Sequence, residues 1–342
     1  MELKAALEHL LQRRDLTAAQ MESVMHQLMS GKATSAQTGA ILTALRMKGE
    51  TIDEITAAVK VMRTLATPVT LEDTSKLVDT CGTGGDGANT FNISTACAFV
   101  VAAAGGTVAK HGNRSISSNS GSADVLEIAG VSLALTPEQV AQCISEAGVG
   151  FMFSQEHHSA MRHVIAARRE LGVRTIFNML GPLTNPAGAP YQVIGVYDKS
   201  LTTLFAKVLQ RLGSKHVMVV HAEDGLDEIS IGSRTWVAEL KDGEITEWMI
   251  DPLEHGMEYK DLSDLTVASA GDSLKVIRTV FANQASGAKD IVCLNAGASL
   301  YVAGLAESYA SGVRLACDII AKGLAQQKFE DFICKTQTFK TA

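Results

Sequence analysis

The chain has 342 residues, of which 46% are hydrophobic, 20% charged and 5% aromatic, and it carries a net charge of −7. This length suits two domains of about 100–200 residues each and a sizeable core. The acidic balance and the few aromatics exclude a general attraction to nucleic acid or anionic membranes and a base-stacking surface, so any phosphate must be held by a local group of residues.

The N-terminus is amphipathic, and Arg13-Arg14 runs into Asp15 rather than an apolar stretch, so no secretory leader is expected. Residues 1–66 have helical spacing throughout. Thr17 with Gln20, Thr34 with Gln37 and Thr51 with Glu54 are capping boxes, and Gly31 and Gly49 end two of the helices. Residues 1–70 are therefore expected to form a small helical domain, with a linker over Thr67–Asp73. Residues 71–342 read as a large α/β domain with a mostly parallel sheet. Strands are expected at Lys76–Thr80, Thr107–Lys110, Gly150–Phe153, Val193–Tyr197, Val217–His221 and Ile291–Leu294. Helices are expected at Ser94–Ala104, near Ser122–Ala129, and from Thr136 with Pro137 at the first helical position. Trp236–Leu240 and Glu244–Met249 flank Lys241-Asp242-Gly243 as a β-hairpin. The six cysteines form no CxxC pair and read as reduced thiols of a cytoplasmic protein. No run of about 18 apolar residues is present to span a membrane.

The first strand leads into Cys81-Gly82-Thr83-Gly84-Gly85-Asp86-Gly87. This matches GxGxxG formally, but the next strand ends in Lys110, where a dinucleotide site needs an acid. No Walker loop occurs. The glycines and the helix start at Asn92-Ile93-Ser94-Thr95 suit anion capture by free backbone N–H groups. The segment Lys110–Ser122 follows the second strand. It holds two cations and many hydroxyls, with Ile116 its one bulky apolar residue, and suits a polyphosphate. Asp224-Gly225-Leu226-Asp227-Glu228 follows a later strand; adjacent carboxylates there are hard ligands for Mg²⁺ shared with substrate phosphate. An arginine of the Arg168-Arg169 pair could bind a carboxylate bidentately, and spacing alone does not rank the two. His157, His158 and His163 lack metal spacing. No nucleophile–base pair stands out, which suits a transfer driven by leaving-group stabilisation and positioning.

Six motifs, in order, resemble the anthranilate phosphoribosyltransferases of tryptophan biosynthesis over nearly the whole chain. They are Asp79–Asp86, Thr90–Thr95, Lys110–Arg114, Arg168–Gly172, Gly181–Pro186 and Asp224–Glu228. The resemblance implies transfer of a phosphoribosyl group from phosphoribosyl pyrophosphate (PRPP) to the amine of anthranilate. It implies a homodimer through the helical domain, which residues near 160–185 would rejoin. PRPP would be surrounded by Gly82, Gly85, Asp86, Thr90, Asn92, Ile93, Ser94 and Thr95, and by Lys110, His111, Gly112, Asn113, Arg114, Ser115, Ser117, Ser118 and Ser122. Two Mg²⁺ ions would be served by Ser94, Asp227 and Glu228. Anthranilate would meet Gly82, His111, Asn113, His158, Arg168, Gly181 and Pro182, with Arg168 taking its carboxylate. No residue is implied as a dedicated acid or base. Ile165-Ala166-Ala167, Gln155-Glu156 and His221-Ala222-Glu223 depart from the family pattern without removing a proposed ligand. Two relatives of the same architecture compete: a pyrimidine nucleoside phosphorylase, which needs a single-phosphate site, and a non-catalytic nucleic-acid binder, which needs a basic patch.

Overall fold

Each threonine box does form, with the hydroxyl accepting from the backbone N–H three residues on and the third residue's side chain reaching back. The computed structural model describes residues 1–115 and 119–340, so Ser117 and Ser118 lie outside the described residues. Helices α1 (Leu3–Leu11), α2 (Ala18–Met29), α3 (Ser35–Lys48) and α4 (Ile52–Leu65) form a helical body. Glu54 is fully buried, yet its carboxylate accepts from the backbone N–H groups of Leu16 and Thr51 and from Lys48 Nζ, which is how a buried charge is tolerated.

The alternating region follows: β1 (Leu77–Gly82), α5 (Ile93–Ala103), β2 (Thr107–Gly112), α6 (Ser122–Ile128), α7 (Pro137–Ala147), β3 (Val149–Phe153) and the short α8 (Ser154–His157). Then come α9 (Ile165–Leu171), α10 (Ile176–Leu183), β4 (Tyr191–Gly195), α11 (Ser200–Arg211), β5 (His216–Ala222), β6 (Thr235–Lys241) and β7 (Glu244–Ile250). Four helices end the chain: α12 (Ala270–Phe281), α13 (Gly287–Val302), α14 (Tyr309–Ala321) and α15 (Leu324–Thr338). No helix among the described residues is long and apolar enough to cross a membrane.

The strands form one sheet in the order β3-β2-β1-β4-β5-β6-β7. The first five are parallel, and the β6–β7 hairpin closes one edge antiparallel. Its turn uses Asp242 and Gly243 at φ 52° and 82°, as a two-residue primed turn requires. From β1 the chain winds outward through β2 and β3, then returns to place β4 on the other side of β1. The crevice between β1 and β4 is therefore a topological switch point, where ligands of open sheets collect beyond the strands' C-terminal ends.

One expected strand is a helix. Ile291–Leu294 lies inside α13, capped by the Ser286 hydroxyl, and all four residues are fully buried. A four-residue apolar run buried on every side has no periodicity that separates strand from helix. Elsewhere the differences are at the ends: β1 runs on through Cys81 and Gly82, and β4 starts two residues before Val193.

Two apolar clusters cover the sheet. One joins α5, α7 and the C-terminal helices to one face, around Phe99, Phe281, Phe329 and Phe332. The other runs without a break from the helical body (Met21, Ile41, Leu45, Ile55) through Ile176, Phe177 and Leu180 of α10 to Ile194, Val217 and Val219 on the opposite face.

Candidate active site

Loops from the C-terminal ends of all five parallel strands meet at the switch point. The glycine loop after β1 is bound directly to the acidic loop after β5. The Gly84 N–H donates to Asp227 Oδ2 at 2.6 Å, and the Asp227 N–H faces Asp86 Oδ2 at 3.5 Å. Two glycines make this approach possible. A Cβ on Gly82 would stand 2.5 Å from Asp227 Oδ2, and one on Gly195 would stand 1.5 Å from the Asp227 carbonyl oxygen.

Behind the loop, the N-terminus of α5 presents Ser94. Its backbone N–H and hydroxyl face the Glu228 carboxylate, and its Oγ accepts from Lys110 Nζ at 3.1 Å. Lys110 is 3% exposed and also donates to the Thr80 carbonyl at 2.7 Å. The carboxylates are strained electrostatically. Burial pushes Glu228 up to about 7, aided by Asp86 and opposed by Lys110. Asp227 is raised well above the carboxylate range by burial, then by Asp86 and Glu228. Three acids and a serine hydroxyl make an all-oxygen donor set suited to a hard cation. Among the described residues no three metal-ligating side chains close a cage. A Mg²⁺ ion that takes its remaining ligands from phosphate and water needs no such cage.

Asn92, before α5, does not cap the helix. Its side-chain oxygen accepts from Ser120 Oγ at 2.6 Å and Ser273 Oγ at 2.8 Å, while its own N–H donates to Ser273 Oγ at 3.0 Å. Ile93 is buried as the helix opens, and the Thr95 hydroxyl is buried without a partner. Thr90 bridges to Thr266, and Asn119 donates to the Val267 carbonyl at 3.1 Å. Both loops thus rest on the 265–273 segment. Ser273 was not among the expected site residues; its one signal in the sequence is a hydroxyl on the otherwise apolar face of α12, which does not reveal a partner 181 residues away.

The base of the second loop is closely packed. A Cβ on Gly112 would stand 2.2 Å from Ser122 Oγ. Asp124 Oδ2 accepts from the N–H groups of Ser115 and Gly121. Asn113 Oδ1 accepts from the Arg114 N–H at 2.8 Å. Arg114 itself turns to α6, paired with Glu127 at 2.7 Å and Asp124 at 3.1 Å. Its backbone, rather than its guanidinium, belongs to the loop as it stands here.

The two histidines of the expected acceptor channel are neutral. The His111 and His158 rings lie 5.0 Å apart. Burial pushes His111 down to about 3 and His158 down to about 4. His111 Nε2 meets Ser154 Oγ at 2.9 Å, and its ring also bonds the Gly181 carbonyl, whereas His158 Nε2 is buried without a partner. A Cβ on Gly181 would meet nothing within 4 Å, so open space adjoins it. Pro182 is buried within α10, and its carbonyl accepts from Gln192 at 3.1 Å. Arg168 is half-buried with its guanidinium 5.3 Å from the Phe177 ring centre, while Arg169 is exposed. Burial lowers the Arg168 pKa. This separates the two arginines, which spacing alone could not. Asp79 and Asn185, also outside the expected set, tie the halves together: Asn185 Nδ2 donates to Asp79 Oδ2 and the Ala109 carbonyl, both at 2.8 Å.

Known proteins share this fold. Residues 4–66 match the glycosyl transferase family helical bundle domain, and residues 74–326 the α/β domain of the same family. A curated anthranilate phosphoribosyltransferase of Hydrogenovibrio crunogenus is 66% identical over 99% of this chain and 100% of its own length. That of Cellvibrio japonicus is 60% identical over 98% and 99%. Among solved structures, the Thermus thermophilus anthranilate phosphoribosyltransferase superposes with a TM-score of 0.92 at 39% identity, covering 97% of this chain and 99% of that one. The Saccharomyces cerevisiae enzyme, solved with PRPP and Mg, superposes with a TM-score of 0.89 at 25% identity, covering 98% of each chain. With a family model over each part of the chain and relatives alike over almost its full length, the chain belongs to the anthranilate phosphoribosyltransferase family.

Proposed function

We propose that this chain transfers the phosphoribosyl group of PRPP to the amine of anthranilate, releasing pyrophosphate, in a reaction that depends on Mg²⁺. The observation that carries the reading is the pair of charge-crowded carboxylates, buried Asp227 and half-buried Glu228, set against Ser94 and Lys110 at the switch point. Mg²⁺ bound there, two ions per site, would neutralise the departing pyrophosphate. The glycine loop (Gly82, Gly85, Asp86), the α5 N-terminus and the Lys110–Ser122 loop hold the donor's phosphates through N–H groups and hydroxyls. Arg168 holds the anthranilate carboxylate, and Asn113, Gly181, Pro182 and the two neutral histidines shape its channel. The amine attacks C1 of the ribose as the bond to pyrophosphate breaks. An aromatic amine is already neutral, so positioning and charge stabilisation suffice without a dedicated base.

Mixing the protein with anthranilate, PRPP and Mg²⁺ and following anthranilate fluorescence tests this. Signal loss that needs all three is expected. A folded sample that leaves anthranilate unchanged yet phosphorolyses thymidine would replace the reading with the nucleoside phosphorylase.

The helical body, residues 1–70 with α9 and α10 packed on it, is proposed as the smaller domain, and residues 71–342 as the larger. A groove of about 760 Å³ on that body is lined by Leu7, Leu11, Ala40 and Met47 with Leu171 of α9. Leu11 and Met47 are 68% and 71% exposed, and a second copy of the chain is proposed to cover them. Light scattering should give a dimer, and Met47→Glu a monomer. The cysteines, free among the described residues and mostly buried, accord with a cytoplasmic setting.

A further inference from the structure

Arg174 lies between α9 and α10, on the stretch that packs against the helical body, yet its side chain crosses the cleft. Its guanidinium lies 3.8 Å from the centre of the Tyr197 ring, just beyond β4, and its Nη2 donates to the Gly85 carbonyl in the glycine loop. Its own backbone carbonyl accepts from Arg46 Nη1 of α3. Gly85 has φ 79°, and a Cβ there would stand 3.1 Å from Arg174 Nη2, so the bare backbone also makes room for the arginine. No carboxylate forms an ion pair with Arg174 among the described residues, although Asp198 lies within electrostatic range of it.

A trans peptide points its carbonyl and N–H in opposite directions. Drawing the Gly85 carbonyl toward Arg174 therefore turns the Asp86 N–H to the other side of the loop, leaving it free for an anion. The stack on Tyr197 holds the guanidinium flat, a geometry lysine cannot copy. We infer that Arg174 is a positioning residue for PRPP: it sets the glycine loop in its anion-binding shape and, through Arg46, ties that shape to the helical body. This rests on the transferase reading above.

Steady-state kinetics of Arg174→Ala, Arg174→Lys and Arg46→Ala, with each substrate varied at saturating Mg²⁺, tests the inference. Arg174→Ala should raise the KM for PRPP about tenfold, the size of one lost charged hydrogen bond. The KM for anthranilate should stay within about twofold. Arg174→Lys should fall between wild type and Arg174→Ala, and Arg46→Ala should move the PRPP KM in the same direction by about threefold. An unchanged PRPP KM, an equal rise in both KM values, or a lower Tm with normal PRPP use would each overturn it. If Arg174→Ala does not fold, Arg174→Lys and Tyr197→Leu decide by the same split. Silence of the wild type in this assay would overturn the transferase reading and the inference together. An active wild type with indifferent variants would overturn the inference alone.

Discussion

The donor and acceptor sides of the cleft treat burial in opposite ways. Around the glycine loop, buried Asp227 and Lys110 and half-buried Glu228 have unlike and like charges in reach of one another, so two carboxyls are pushed up. Facing them, His111 and His158 are equally buried but simply neutral, and Arg168 is the one partly buried cation of the expected acceptor set. Crowded acids give the proposed donor side a charge that a bound cation would offset. Beside neutral imidazoles, one guanidinium can set where an acceptor carboxylate sits through a bidentate pair.

The largest expected effect tests the donor side. Asp227→Asn should lower kcat/KM for PRPP on the order of 100-fold and raise the Mg²⁺ needed for half-maximal rate. An unchanged Mg²⁺ titration would remove this residue from the metal site. Next, Arg168→Ala should raise the KM for anthranilate roughly 10–100-fold while sparing PRPP, since a lost charged contact is worth about 1.5–3 kcal/mol. If PRPP use alone suffers, the division of the cleft is drawn wrongly.

The pH profile sharpens the comparison further. Glu228, raised to about 7, gains a proton as pH falls, so at limiting Mg²⁺ the use of PRPP should decline below about pH 7. Saturating Mg²⁺ should move that decline to lower pH. The histidines, at about 3 and 4, keep the acceptor side uncharged, so the anthranilate KM should stay flat between about pH 6 and 8. The stability sign follows from the same carboxyl. Its folded pKa exceeds the ordinary 4.5, so the metal-free fold binds the extra proton and gains stability as pH falls from about 7 to 4.5. Glu228→Gln should therefore raise the metal-free Tm at pH 8 by about 2–4 °C while abolishing most activity. A lower Tm there would contradict the buried charge. The smallest effect should come from Ser273→Ala, which frees Asn92 and should raise the PRPP KM about three- to tenfold, corresponding to about 1 kcal/mol for a neutral hydrogen bond.

Much of this was legible in sequence where the governing contacts are local. The threonine boxes close over three residues, and the hairpin turn is set by Asp242-Gly243 itself. The loops proposed to hold phosphate stand out because glycine and hydroxyl runs pack poorly and serve backbone donors well. What spacing did not reveal depends on contacts between distant segments. Ser273 meets Asn92 across 181 residues, Asn185 meets Asp79 across 106, and Arg174 meets Gly85 across 89. The Ile291–Leu294 stretch turned from strand to helix because the surrounding α13, buried nearly all round, hides its period.

The unbroken apolar cluster that joins the helical body to one face of the sheet has a consequence for unfolding. Ile41 and Ile55 belong to the same continuous cluster as Ile194 and Val217, so melting the body would strip part of the sheet of its cover. The two parts should therefore unfold in one calorimetric transition, without a surviving half. Amide exchange in α4 and β4 should slow to a common limit, because both open only when the whole molecule does.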